Sequence, residues 1–219
     1  MLMVPATHGV LTSLPPGYTN LTYRGITFPS NRLPGSLPLT ANRCCIVAMD
    51  CGSGSPTTMT VNGVAATKII DNGTDFSAGA IWLGLFAARV GTTDSISFPG
   101  SYEIVTDAQA AFSLWEVYMT SIVAHSTGHG FNPSSLAPLA LSGVTIPTNG
   151  FAVLLGSSYG GAGFGNIASV DQGFVMHVGD QQVADAQVTT AFSGTVTVTW
   201  SGGTPPASAI LASFAGDGS

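Results

Sequence analysis

Apolar and polar positions trade places over short stretches along most of this chain. The clearest case is 195–200, TVTVTW, where Val196, Val198 and Trp200 fall on one side and Thr195, Thr197 and Thr199 on the other. That period of two predicts a strand with one face in a core. Residues 58–70, TMTVNGVAATKII, set Asn62-Gly63 between two apolar runs. Asn-Gly takes the positive φ angles of a two-residue turn, so Met59 and Val61 lead into a hairpin and Val64 and Ala66 leave it. Ala65 and Ala66 are small enough for something to pack closely over the returning strand. Ile69 and Ile70 then meet a second turn signal, Asp71-Asn72-Gly73.

From Arg43 onward, apolar stretches recur between turn residues at roughly ten-residue intervals, the spacing of a sandwich or barrel. The predicted strands are 43–50, 58–61, 64–70, 78–89, 95–98, 111–120, 139–146, 151–157, 174–178, 187–192, 195–200 and 209–215. Residues 80–87 and 112–118 are dense in Leu, Phe and Trp, and fit central strands buried on both sides. A helical turn is attractive only at 107–112, with a shorter turn at 132–136. The expected class is all-β, an antiparallel jelly-roll-like sandwich over residues 41–219.

Residues 1–40 differ. Pro5, Pro15, Pro16, Pro29, Pro34 and Pro38 interrupt any period, which predicts an extended N-terminal arm. Within it, 20–28 (NLTYRGITF) alternates well enough for a strand. Leu2, Val4, Val10, Leu11, Leu14, Tyr18 and Tyr23 are the candidate partner-binding residues. Ordering such an arm costs entropy that a partner surface offsets. The competing reading is an edge strand and loops folded on the chain's own domain.

Composition then says where such a domain is used. Of 219 residues, 45% are hydrophobic and 7% charged, against about 25% charged in ordinary domains. So little charge favours association, with copies of the chain or with a larger particle. A membrane helix needs about 18 consecutive apolar residues. The longest candidates, 78–89 and 150–156, are too short, and no membrane is expected. Residues 1–7 lack the positive region and apolar core of a secretory signal, so export by that route is not expected. Arg24, Arg32, Arg43, Lys68 and Arg89 are scattered against eleven acidic residues, for a net charge of −6. Phosphate neutralisation requires clustered cations, so nucleic acid is not an expected partner.

Motifs for chemistry are weak. Gly156 to Gly160 satisfies G-x-S-x-G after an apolar strand, but the following GGAGFGN has no helix-forming residues for a nucleophile elbow. His125 and His129 lie in HSTGHG, read as a polar loop in which Gly128 and Gly130 oppose a metal-binding helix. Glu103 and Glu116 are the only glutamates; Glu116, between Trp115 and Val117, either faces solvent or pairs with an arginine. Residues 71–75 lack the ligand order of a calcium loop. Cys44 and Cys45, as strand neighbours, point to opposite faces. Buried free thiols are the plain reading, with a Cys45–Cys51 link or an intermolecular bridge as alternatives. No catalytic residue, metal site or cofactor is expected.

Two segments carry a resemblance. The strand-turn-strand around 62–67, ending in GVAAT, and the closing arrangement of TVTVTW, SGG and a small apolar strand resemble structural proteins of tailed bacteriophages and prophages. The resemblance spans roughly residues 43–216 and leaves the arm outside. It implies a non-enzymatic decoration or cement protein, made in the host cytoplasm and carried on the outer surface of the virion. The partners implied are the major capsid protein and copies of the chain itself, as a homotrimer. The alternative it implies is a fibre or spike domain that binds a receptor or host-surface glycan, with 157–166 and 125–132 as sugar-holding loops.

Overall fold

The computed structural model describes residues 21–27, 32–35, 39–52, 54–73, 75, 80–93, 101–108, 110–159, 164–165, 167–178 and 182–216. Their regular elements are strands, apart from a helical turn at Gly73 and Asp75. In order these are β1 (Thr22–Thr27), β2 (Arg32–Pro34), β3 (Arg43–Cys51), β4 (Met59–Val61), β5 (Val64–Ala65), β6 (Thr67–Asp71), β7 (Trp82–Ala88), β8 (Ser101–Thr106) and β9 (Ala110–Tyr118). The second half holds β10 (Ser126–Asn132), β11 (Leu139–Ile146), β12 (Phe151–Tyr159), β13 (Phe164–Gly165), β14 (Ile167–Val170), β15 (Val175–Val178), β16 (Gln182–Gln187), β17 (Phe192–Trp200) and β18 (Ala207–Phe214).

These strands build four sheets, ordered β2-β8-β4-β5, β1-β9-β3-β7-β6, β10-β18-β12-β16-β15 and β11-β17-β14, with β13 paired to β12. Three apolar cores lie between them. Leu33, Val61, Tyr102 and Ile104 of the first sheet meet Val47, Met49, Phe86 and Leu114 of the second. The other face of the second sheet, with Ile46, Leu85 and Trp115, meets Val153, Leu155, Ile210 and Phe214 of the third. Ala152, Leu154 and Leu211, on the far side of the third sheet, meet Leu141, Val196, Val198 and Trp200 of the fourth. The molecule is therefore two sandwiches, β1–β9 and β10–β18, packed through their inner sheets.

Hydrophobic pattern separates inner strands from outer ones. β7, β9 and β18 are buried at every position, because each inner sheet has a core on both faces. In the outer sheet, β17 buries Val196, Val198 and Trp200 and leaves the intervening threonines less buried. The Asn62-Gly63 turn joins β4 to β5 as expected, with φ of 50° and 75°.

Strand order bears out the all-β, sandwich-like class, but not the jelly-roll connection. Several local expectations need correction. Residues 187–192 span the gap between β16 and β17. β8, β10, β14 and β16 lie where no strand was expected, and β9 begins at Ala110, where a helical turn was attractive. Residues 95–98 fall outside the described residues. Of the expected arm, β1 pairs with β9 and β2 with β8, so residues 22–27 and 32–34 lie in the chain's own sheets. That edge pairing satisfies backbone groups that an extended arm would leave to solvent or a partner.

Candidate functional site

A buried polar side chain must find partners inside the protein, and here the partners lie across sheets. After β6, the Asp71 carboxylate accepts the Gly73 amide at 3.1 Å and turns the chain. Asn72 Oδ1 accepts the Leu83 amide at 2.7 Å, while Nδ2 donates to the Ile81 carbonyl at 2.8 Å and to Ser208 Oγ at 3.1 Å. Asp75, also buried, then receives Ser208 Oγ of β18 and His129 Nε2 of β10, both at 2.6 Å on Oδ2. Serine, histidine and aspartate meet here, but not as a nucleophilic triad. A triad places the imidazole between the hydroxyl and the carboxylate; here both attach to the carboxylate, and Ser208 is only 1% exposed.

At the opposite edge of the same interface, Asp185 of β16 does similar work. Its Oδ2 accepts Trp115 Nε1 from β9 at 2.7 Å and pairs with His177 Nε2 of β15 at 2.5 Å. Tyr23 of β1 stacks on the His177 ring, centroids 4.1 Å apart, and tilts against Trp115 at 5.4 Å. Burial raises the Tyr23 phenol above its ordinary pKa. Tyr23, expected to bind a partner, thus packs on its own chain. Leu2, Val4, Val10, Leu11, Leu14 and Tyr18 lie outside the described residues.

A third cluster closes the first sandwich. Glu116 is fully buried on β9 and takes the guanidinium of Arg24 and the phenol of Tyr102. Pairing with an arginine, one of the two expectations for Glu116, is what the fold adopts. Gly35 passes so close that a Cβ there would sit 2.7 Å from the Tyr102 ring and 3.0 Å from Glu116 Oε1. The Arg43 guanidinium lies 5.4 Å from the centre of the Tyr102 ring, and its Nε donates to the Gly91 carbonyl at 3.0 Å. Burial, followed by the charge of Glu116, drives the Cys45 thiol well above its ordinary pKa. Burial likewise keeps Tyr102 protonated. Glu103 and Glu116 do not face one another across a cleft: Glu116 bonds Tyr102, and Glu103 follows Tyr102 on β8, on the other face.

The remaining motifs are structural where they are described. Ser158 is buried in β12, with Oγ donating to the Gly202 carbonyl at 3.4 Å, and β12 continues as a strand through Tyr159. Residues 126–132, expected to be a loop, form β10, because Gly128 and Gly130 let that strand lie close on Val144, Leu141 and Leu139 of β11. That removes one of the two loops assigned to sugars. Cys44 and Cys45 do face different cores, and all three cysteines are buried free thiols. Cys45 and Cys51 sit on one face of β3, about 20 Å apart at strand rise, so no bridge joins them within a molecule. No group of three or more His, Cys, Asp or Glu suited to a metal occurs among the described residues. The signals missed in the sequence are Asp75 and Asp185, each an isolated acid whose partners come from distant strands. No protein-family model, curated protein or solved structure matches this chain.

Proposed function

We propose that the chain is a non-enzymatic structural protein of a tailed-bacteriophage particle, a decoration or cement protein on the outer face of the capsid. One observation carries the reading: the side chains best suited to chemistry, Asp75, His129, Asp185, His177 and Glu116, are spent on joining strands and sheets. A carboxylate that already holds two donors has little left with which to take a substrate proton. The rest of the support comes from a surface poor in charge and from the two resembling segments, which lie in the β4–β5 hairpin and in β17–β18. In this reading neighbouring major capsid proteins and further copies of the chain are the partners.

Imaging the particle tests this directly. Hundreds of copies over the shell are expected; a handful at a tail or fibre tip would overturn the cement role. Removing residues 1–18 should leave a folded protein that no longer attaches, and normal attachment would end the arm hypothesis. Glycan hydrolysis that is lost in Glu103→Gln or Glu116→Gln protein would overturn the non-enzymatic reading.

A further inference from the structure

The sheet edges are not treated alike. An unpaired edge strand offers its backbone to any other strand, and proteins blunt such edges with bulges, short length or charge. β1 carries a bulge between Tyr23 and Gly25, β6 between Lys68 and Ile70, β11 between Leu141 and Val144, and β14 between Ile167 and Ser169. β2, β5 and β15 are edges of four residues or fewer. β10 has none of these devices. It is seven residues long and pairs with β18 without a register shift from Ser126↔Ser213 to Asn132↔Ala207.

Charge is missing there too. From Val117 to Val170 the chain has no Asp, Glu, Lys or Arg, and all five cations precede residue 90. β10 lies inside that charge-free stretch. Thr127 and His129 are exposed along it, and the neighbouring Val123 is 75% exposed. A protein of net charge −6 repels its own copies, so the surface on which two copies can meet at least cost is the uncharged one.

We infer that β10 is an assembly edge, on which a second copy of this chain adds its own β10, antiparallel, to make one sheet across the pair. A two-fold axis makes such a contact self-complementary, since the same strand serves both sides. The main-chain bonds give affinity without requiring matched side chains. Phe131 and Thr127 then form the seam, while the His129 ring stays turned to Asp75. The inference does not rest on the virion role: a dimer can form with no particle present, and copy number on a particle can be counted whether or not β10 pairs.

The test uses the full chain in solution, by sedimentation equilibrium and by amide hydrogen exchange over a concentration series. A dimer is expected, with β10 amides exchanging more slowly as concentration rises. Thr127→Lys, at an exposed position, should weaken the dimer about tenfold or more while leaving the melting temperature of the monomer unchanged; Thr127→Ser should not. A monomer at every concentration would overturn the inference. So would a trimer, a dimer unaffected by Thr127→Lys, or β10 exchange that ignores dilution.

Discussion

Asp75 and Asp185 hold the two inner sheets together from opposite edges, yet in different company. Asp75 is sealed in, 3% exposed at the side chain, and takes a histidine and a serine from the facing sandwich. Asp185 is 14% exposed and takes its histidine from the adjacent strand of its own sheet, so only Trp115 crosses the interface. The difference lies in what each would leave behind. Losing Asp75 strands Ser208 with no acceptor in a dry core, whereas water can reach the groups around Asp185.

Asp75→Ala is accordingly expected to have the largest effect, a loss of about 3 kcal/mol or more in urea unfolding, with Asp75→Asn milder because one oxygen can still accept. Equal losses for Asp75→Ala and Asp185→Ala would break the comparison. Trp115→Phe removes the crossing hydrogen bond together with part of a fully buried indole, and should cost about 2 kcal/mol. Thiol labelling reads the interior differently. With Cys44, Cys45 and Cys51 buried and Cys45 held protonated, none should react in the folded protein, and the rate should follow global unfolding. Fast labelling of Cys44 would mean that the interface between the two sandwiches opens by itself.

The smallest effect is expected at Asp107, on the surface. Its carboxylate caps the chain entering β4, accepting the Thr57 hydroxyl and the Thr57 and Thr58 amides. The Thr57 hydroxyl, followed by these amides, lowers its pKa below the usual carboxylate value. A lowered carboxyl adds stability above its unfolded pKa, near 4, and that stability is lost as pH falls through the folded value. Asp107→Ala should therefore lower stability slightly at neutral pH, converge with the unaltered protein as pH falls through the folded value, and so flatten the pH dependence of unfolding on the acid side. A steeper acid slope in the variant would refute the assignment.

How much of this was legible beforehand varied with the residue. The Asn62-Gly63 turn and the facing of Cys44 and Cys45 depend on adjacent residues, and could be read directly. β10 could not, because STGHGFN looks like a loop unless Leu139, Leu141 and Val144 are known to cover its glycines. β16 was missed for a related reason: QVADAQ is short of large apolar residues, and its place between β12 and β15 supplies the burial. Glu116 was visible as a charge in apolar surroundings with an arginine as one expected partner, but β1–β9 pairing was needed to choose Arg24 from the scattered cations.

The amino-acid order by itself fixed the all-β class, the alternating outer strand at 195–200 and the uniformly apolar inner strands. Periodicity reports how many faces of a strand are buried, and it does so from neighbouring residues alone. Only the tertiary structure decided that four sheets stack in two sandwiches, and that Asp75 meets His129 across 54 positions and Asp185 meets Trp115 across 70. A burial pattern says that a face is covered but not by what; sheet order chooses the partner, and with it where each buried charge is satisfied.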